Sequence, residues 1–452
     1  MASTLSVSRS APTLWGLGLV IPVRRSALLA FGAAALVVSL FLPLKTVVGG
    51  LTLRPFDPLV VLFVAMFLSA GLLRGPAIRA IPRDAWFILF VLFAVYLTLN
   101  GLLLAGVKDA VKVLMQKVEF LFLAVTIAAV GGDERARDTF LRLLLLGLGA
   151  VVAGTVLWHV AAGQWVDYKR LGEPKWAFAL LASILFPLAY LDRSRSRGRH
   201  VLKVMLLASV GLMLLSLERK GWGAFVLAVL AALYLRTHRY AVRRTIGRRA
   251  VRAVALYGGL IALTAGLLVT IPLLVASVTP LLEERAPDSV DRVRALGDFV
   301  VGLSDISESY KYVEAPNARQ RLFLVAFSLQ KLRESPLFGI GVDQFQPAIA
   351  RDAPTLAFAT TAHNEYAQYA VEAGGVGLSL YLLLWLLGAR RVATAARMMA
   401  DARHRTWVMV VGAMLGYGLF MNFFVAAGAQ NELFLTLPVG LATGLWREQQ
   451  GT

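Results

Sequence analysis

The residue in this chain best suited to move a proton is His363. It lies in Thr360-Thr361-Ala362-His363-Asn364-Glu365-Tyr366, at the head of a long apolar run, with Thr361 as the expected cap. A helix N-terminus presents unpaired N–H groups and the positive end of the helix dipole, which disfavours an imidazolium. A neutral imidazole is what a general base must be near neutral pH. The other four histidines invite plainer readings. His200, His238 and His404 sit in or beside arginine-rich loops as solvated side chains, and His159 reads as a packed interfacial residue.

Arginines form the second group. Arg219 lies in the short turn Ser216-Leu217-Glu218-Arg219-Lys220-Gly221, Arg170 in Tyr168-Lys169-Arg170-Leu171-Gly172, and Arg319 and Arg321 open an amphipathic segment. Guanidinium groups donate in a planar, bidentate fashion to phosphate oxygens, so several together can neutralise a pyrophosphate without a metal. For each arginine alone, snorkelling or a salt bridge is the competing reading, such as Arg219 with Glu218. Lys117 and Glu119 lie inside an apolar run and read most simply as a mutual pair, although ionisable groups at depth are functional candidates by default. The chain has no cysteine, which removes disulfides, thiolate metal sites and a Cys nucleophile. No Walker A loop, Gly-x-Ser-x-Gly elbow or metal-ligand spacing is present. One histidine with several arginines suits transfer from a phosphorylated donor better than hydrolysis.

The elements that must position these groups are membrane spans. Of the 452 residues 58% are hydrophobic, and the mean hydropathy is +0.69. The apolar runs are continuous, which favours helices over a barrel. About twelve reach spanning length: 26–44, 56–74, 85–105, 113–131, 139–161, 176–191, 201–217, 221–236, 252–277, 364–388, 406–426 and 430–446. The first reads as an uncleaved signal anchor. The net charge of +19 resides largely in alternate short loops, such as Arg193 to Lys203, Arg236 to Arg252 and Arg390 to Arg405. That pattern serves orientation rather than nucleic-acid binding, and puts both termini in the cytoplasm. The expected organisation is helices one to nine over 1–277, a large outer loop over 278–362, and helices ten to twelve over 363–452. Within the loop, Leu322, Val325, Ala326, Leu329 and Leu332 recur at helical spacing, Asn317 and Gln320 suit a capping box, Pro336 ends the helix, and Gly339 and Gly341 make a turn. A transporter or lipid flippase is the reading from another class. Such proteins often show paired halves and midplane charges, and neither is visible here.

The motifs resemble a known family. His363-Asn364-Glu365-Tyr366, followed by Glu372-Ala373-Gly374-Gly375-Val376-Gly377-Leu378, is similar to the His-Asn-x-Tyr … Glu-x-Gly-x-x-Gly-Leu signature of the O-antigen ligase and polymerase superfamily. Arg321-Leu322, then Pro336-Leu337-Phe338-Gly339-Ile340-Gly341 and Phe345, resembles its Arg … Pro-Leu-x-Gly-x-Gly … Phe block. Arg219 and Arg170-Leu171-Gly172 resemble its arginine positions, but Gly172-Glu173-Pro174-Lys175-Trp176 departs from the family's Asn-Pro-Asn-like patch. The resemblance implies an all-α, GT-C-like glycosyltransferase of the bacterial inner membrane, working on the periplasmic face in lipopolysaccharide biosynthesis. It further implies an undecaprenyl pyrophosphate-linked glycan as donor, a lipid A-core acceptor, and inverting transfer without metal or other cofactor. His363 would be the base, and Arg219 and Arg321, with Arg170 and Arg319, would hold the pyrophosphate. An O-antigen polymerase or a protein O-oligosaccharyltransferase would share these motifs.

Overall fold

The computed structural model describes residues 25–42, 44, 46–48, 51–69, 71, 83–161, 174–191, 198–215, 219–241, 324, 327–352, 361–398, 402–424 and 429–450. In chain order its elements are α1 (Arg25–Ser39), β1 (Thr46–Val48), β2 (Leu51–Leu53), α2 (Phe56–Ser69), α3 (Ala85–Leu104), α4 (Val107–Gly131), α5 (Glu134–Ala161) and α6 (Pro174–Phe186). They continue with α7 (Arg199–Leu215), α8 (Arg219–Ala241), α9 (Phe345–Asp352), α10 (Glu365–Met398), α11 (Ala402–Phe424) and α12 (Ala429–Gln450). A π-helical turn, Pro187–Leu191, extends α6. Eleven of the apolar segments read from the sequence fall on these helices, and 252–277 lies outside the described residues. Among the described residues, four stretches are long and apolar enough to cross a bilayer: Ala85–Leu104, Val107–Gly131, Glu134–Trp158 and Glu365–Arg397. The antiparallel hairpin β1–β2, with Thr46 opposite Leu53, is a small departure from the all-helical expectation.

Helix α3 shows why these segments belong in lipid. Asp84 caps it, its carboxylate accepting from the Trp86 N–H at 3.0 Å. Trp86, Phe90, Phe93, Leu97 and Asn100 recur at helical spacing and are buried. The opposite face carries Ile88, Val91, Leu92, Val95, Leu99 and Leu103, which are exposed and equally apolar. A helix apolar on its outward face needs an apolar solvent around it. At its end Ala105 and Gly106 both donate to the Gly101 carbonyl, at 2.9 and 2.7 Å, and the chain turns directly into α4.

Without a hydrophobic drive between helices in lipid, close backbone contact supplies the association. The α4–α12 seam uses Gly440 and Gly444 at four-residue spacing. A Cβ on Gly444 would lie 2.3 Å from the Ala128 carbonyl oxygen, so only glycine permits this approach.

The antiparallel helices separate two chemically distinct ends. At one end the starts of α3, α5 and α11 meet the ends of α10 and α12. There Arg391 and Arg447 converge on Asp84, and Arg137 and His404 on Glu448. His404 thus lies within hydrogen-bonding distance of Glu448, Nε2 at 3.2 Å from the carboxylate, rather than being a simple solvated residue. His200 is exposed, as expected, and the side chains of His159 and His238 lie outside the described residues. The other end gathers the α3–α4 corner, α9 and the starts of α10 and α12.

Candidate functional site

The site region is organised by a break in α10. Gly374 adopts φ 65 and ψ −168, which interrupts the helix. An intact helix would donate from Gly375 to Val371 and from Val376 to Glu372. Instead Gly375 and Val376 donate to the carbonyls of Pro336 and Leu337, at 2.8 and 3.2 Å. The freed carbonyls of Val371 and Glu372 accept from Ile340 and Gly341, at 2.9 and 3.0 Å. Two turns of chain have therefore exchanged hydrogen bonds, and every backbone group at the break is satisfied. The interlock requires glycine on both sides. A Cβ on Gly374 would meet the Leu337 carbonyl oxygen at 2.2 Å, and one on Gly339, at φ 73, the Val371 oxygen at 2.4 Å.

Other elements hold this interlock. Asn100 from α3 donates to the Phe338 carbonyl at 2.6 Å and accepts from the Val342 N–H at 3.1 Å. Tyr96 donates to the Ala373 carbonyl at 2.6 Å. Glu372, buried in α10, accepts from the Phe345 N–H at 3.2 Å and so anchors the start of α9. Lys112 pairs with Asp343, and Gln344 donates to Asp109. Residues 327–334 are helical and stop just before Pro336, as the sequence predicts. Phe327 packs edge-on against Phe345, ring centroids 5.7 Å apart. Lys331 ties the helical stretch to α9 by bridging Glu334 and Asp352, each at 2.7 Å. Hydrogen bonds from Arg351 and Lys331 hold the Asp352 carboxyl well below the usual carboxylate range.

Beneath this lies a buried polar cluster. Lys117 from α4 pairs with Glu432 from α12 and donates to the Tyr369 hydroxyl at 3.1 Å. That hydroxyl in turn donates to Glu432 at 3.3 Å. The Phe93 and Tyr369 rings lie 5.2 and 5.5 Å from the ammonium. Asn431 donates to Glu365, in the first turn of α10, at 2.7 Å. The expected Lys117–Glu119 pair is not formed. Residues two apart on a helix face different directions, and Lys117 points into the bundle toward Glu432. The sequence held a signal for this. A lone cation in one span and a lone acid in the first turn of another must find each other if both are buried.

His363 lies just ahead of α10. It is exposed, two residues before α10, with φ 54. Left-handed backbone is uncommon outside glycine, histidine being among the tolerated types, and costs about 1–2 kcal/mol. The cap is Asn364 rather than Thr361. Its side chain accepts from Ala367 N–H at 3.0 Å, while Gln368 reaches back to the Ala362 N–H at 2.7 Å. Arg219 is the first residue of α8, its side chain outside the described set. Arg170, Arg319 and Arg321 lie outside the described residues, as do Asn317 and Gln320. Among the described residues, no three His, Asp or Glu side chains gather as a metal-holding group. The residues whose supporting role sequence reasoning overlooked are Asn100, Glu365, Tyr369, Glu372, Asn431 and Glu432, while Lys117 was singled out but given the wrong partner.

No curated protein matches the chain. Residues 204–382 match the family model described as O-antigen ligase. That stretch contains Arg219, Arg321, the Pro336–Gly341 turn, His363 and the broken helix at Gly374, which is to say the interlock and the residue it presents. Over that stretch the chain is similar to the O-antigen ligase family.

Proposed function

We propose that the protein is an O-antigen ligase, a GT-C-like enzyme that moves a glycan from undecaprenyl pyrophosphate to a sugar of lipid A-core on the periplasmic face of the inner membrane. His363 takes the proton from the acceptor hydroxyl while that oxygen bonds to the anomeric carbon. The bond from that carbon to the pyrophosphate oxygen breaks with inversion, and its electron pair leaves with the pyrophosphate. Arg219 and Arg321, with Arg170 and Arg319, hold the pyrophosphate and stabilise the charge that develops on it. The family match over the residues that hold the interlock is the observation that carries this reading.

Two features agree with it. His363 is solvent-accessible in a strained backbone conformation, and such conformations persist only where the surroundings enforce them. It also stands at the end of α10 opposite Arg390 and Arg391. Under the positive-inside rule the arginine-rich end is cytoplasmic and His363 faces the periplasm.

The acceptor separates the ligase reading from its relatives. Purified protein with lipid-linked glycan donor is offered lipid A-core, a second lipid-linked glycan, or a Ser/Thr-containing protein. Transfer to lipid A-core is expected. Chain extension on the second donor instead would make the protein a polymerase, and transfer to the protein an O-oligosaccharyltransferase.

A further inference from the structure

A second site lies at the arginine-rich end, away from His363. A cavity of about 350 Å³ opens there between α3 and α10, lined by Ala85, Trp86, Leu387, Arg390, Arg391 and Thr394. Its electrostatics are unbalanced. Arg391 and Arg447 share the single buried carboxylate of Asp84. Arg391 also stacks on Trp446, 4.2 Å from the ring. Arg390 is exposed and pairs with no carboxylate among the described residues. The cavity wall thus carries two guanidiniums, Arg391 held by Asp84 and Arg390 with no such partner among the described residues.

Next to the cavity the outward faces of both helices are apolar. One and two turns beyond Ala85, the α3 face presents Ile88 and Leu92, both exposed. One and two turns back from Arg390, α10 presents Leu386 and Leu383 or Leu382, also exposed. The two helices run antiparallel and in contact. A cavity bearing Arg390 therefore lies beside exposed apolar side chains of both helices. That polarity suits an anionic amphiphile whose head sits at the helix ends. Basic pockets between membrane helices on the cytoplasmic side recognise anionic lipid head groups in this way, and guanidinium suits phosphate.

We infer that this cavity and the apolar helix faces beside it bind an anionic phospholipid, its phosphate on Arg390 and its acyl chain along Ile88 and Leu386. The site is independent of the transfer chemistry. The test is thermal unfolding, together with native mass spectrometry, of the full chain in detergent. Phosphatidylglycerol, phosphatidylcholine or inorganic phosphate is added to wild type, Arg390→Gln and Leu386→Ser. Only phosphatidylglycerol should raise the wild-type midpoint and remain bound. Arg390→Gln should bind it about tenfold more weakly or worse, and Leu386→Ser should also bind it more weakly. Equal protection of wild type by the two lipids would overturn the proposal, as would unchanged phosphatidylglycerol binding by Arg390→Gln. Protection by inorganic phosphate alone would mean an anion site with no lipid role. Should either variant be too unstable to purify, the wild-type comparison of lipids still decides.

Discussion

Replacing Gly374 with alanine tests whether the hydrogen-bond exchange holds the site together. The new Cβ would lie 2.2 Å from the Leu337 carbonyl oxygen and 2.5 Å from the Phe338 nitrogen, both backbone atoms that cannot rotate away. The residue would also keep a left-handed φ of 65, worth about 1–2 kcal/mol against alanine. Relief requires the 336–341 turn to withdraw, which breaks four hydrogen bonds between the turn and α10 worth about 1 kcal/mol each. The balance shifts toward the open form by about 5–6 kcal/mol. At about 1.4 kcal/mol per decade, amide exchange there should accelerate about 10⁴-fold. Hydrogen exchange read by mass spectrometry on peptides covering Ile340, Gly341, Gly375 and Val376 measures this. Gly375→Ala is the control. Its Cβ would approach only the Pro336 oxygen, at 3.2 Å, so acceleration should stay below about tenfold. Wild-type protection in Gly374→Ala, or equal effects in the two variants, would refute the interlock.

Lys117→Met should destabilise by about 3–5 kcal/mol, because it strands the buried Glu432 carboxylate, whereas Lys117→Met with Glu432→Met should recover most of the loss. Unfolding of the purified variants decides, and equal losses in single and double variants would contradict the pair. The Asp352 carboxyl is depressed in the folded state, so its contribution is present above its unfolded value of about 3.9 and is lost as pH falls below that. Proteolytic protection of the stretch from Phe327 to Asp352 should therefore weaken below about pH 4 and stay flat between about pH 5 and 8, with Asp352→Asn removing the acid step. Arg321→Ala should raise the donor concentration needed for half-maximal transfer about tenfold or more. An unchanged donor dependence would return that arginine to a structural role.

Much of the scaffold was legible from apolar run length alone, since a bilayer demands about 20 residues whatever their order. The helix stop at Pro336 and the turn at Gly339 and Gly341 were legible because proline and glycine act locally. The break at Gly374 was not. Glu372-Ala373-Gly374-Gly375 continues an apolar helical pattern, and nothing local announces that Pro336 and Leu337 supply the missing acceptors. Lys117 was misassigned for a related reason. Its true partner is 315 positions away, and sequence proximity favoured Glu119. The hairpin at 46–53 was hidden because three-residue strands carry too little alternation to register. His363 was legible as a helix-entrance residue, but its left-handed backbone, and Asn364 rather than Thr361 as the cap, emerge only from the fold.

The account rests on His363 as the base in glycan transfer. Its most direct measurement is the single-turnover rate of His363→Ala, purified and folded, with lipid-linked glycan and lipid A-core at saturation. General-base assistance is worth about 10²–10⁴-fold. The rate should fall by at least about 10²-fold with donor binding kept, whereas transfer at the wild-type rate would contradict the role given to His363.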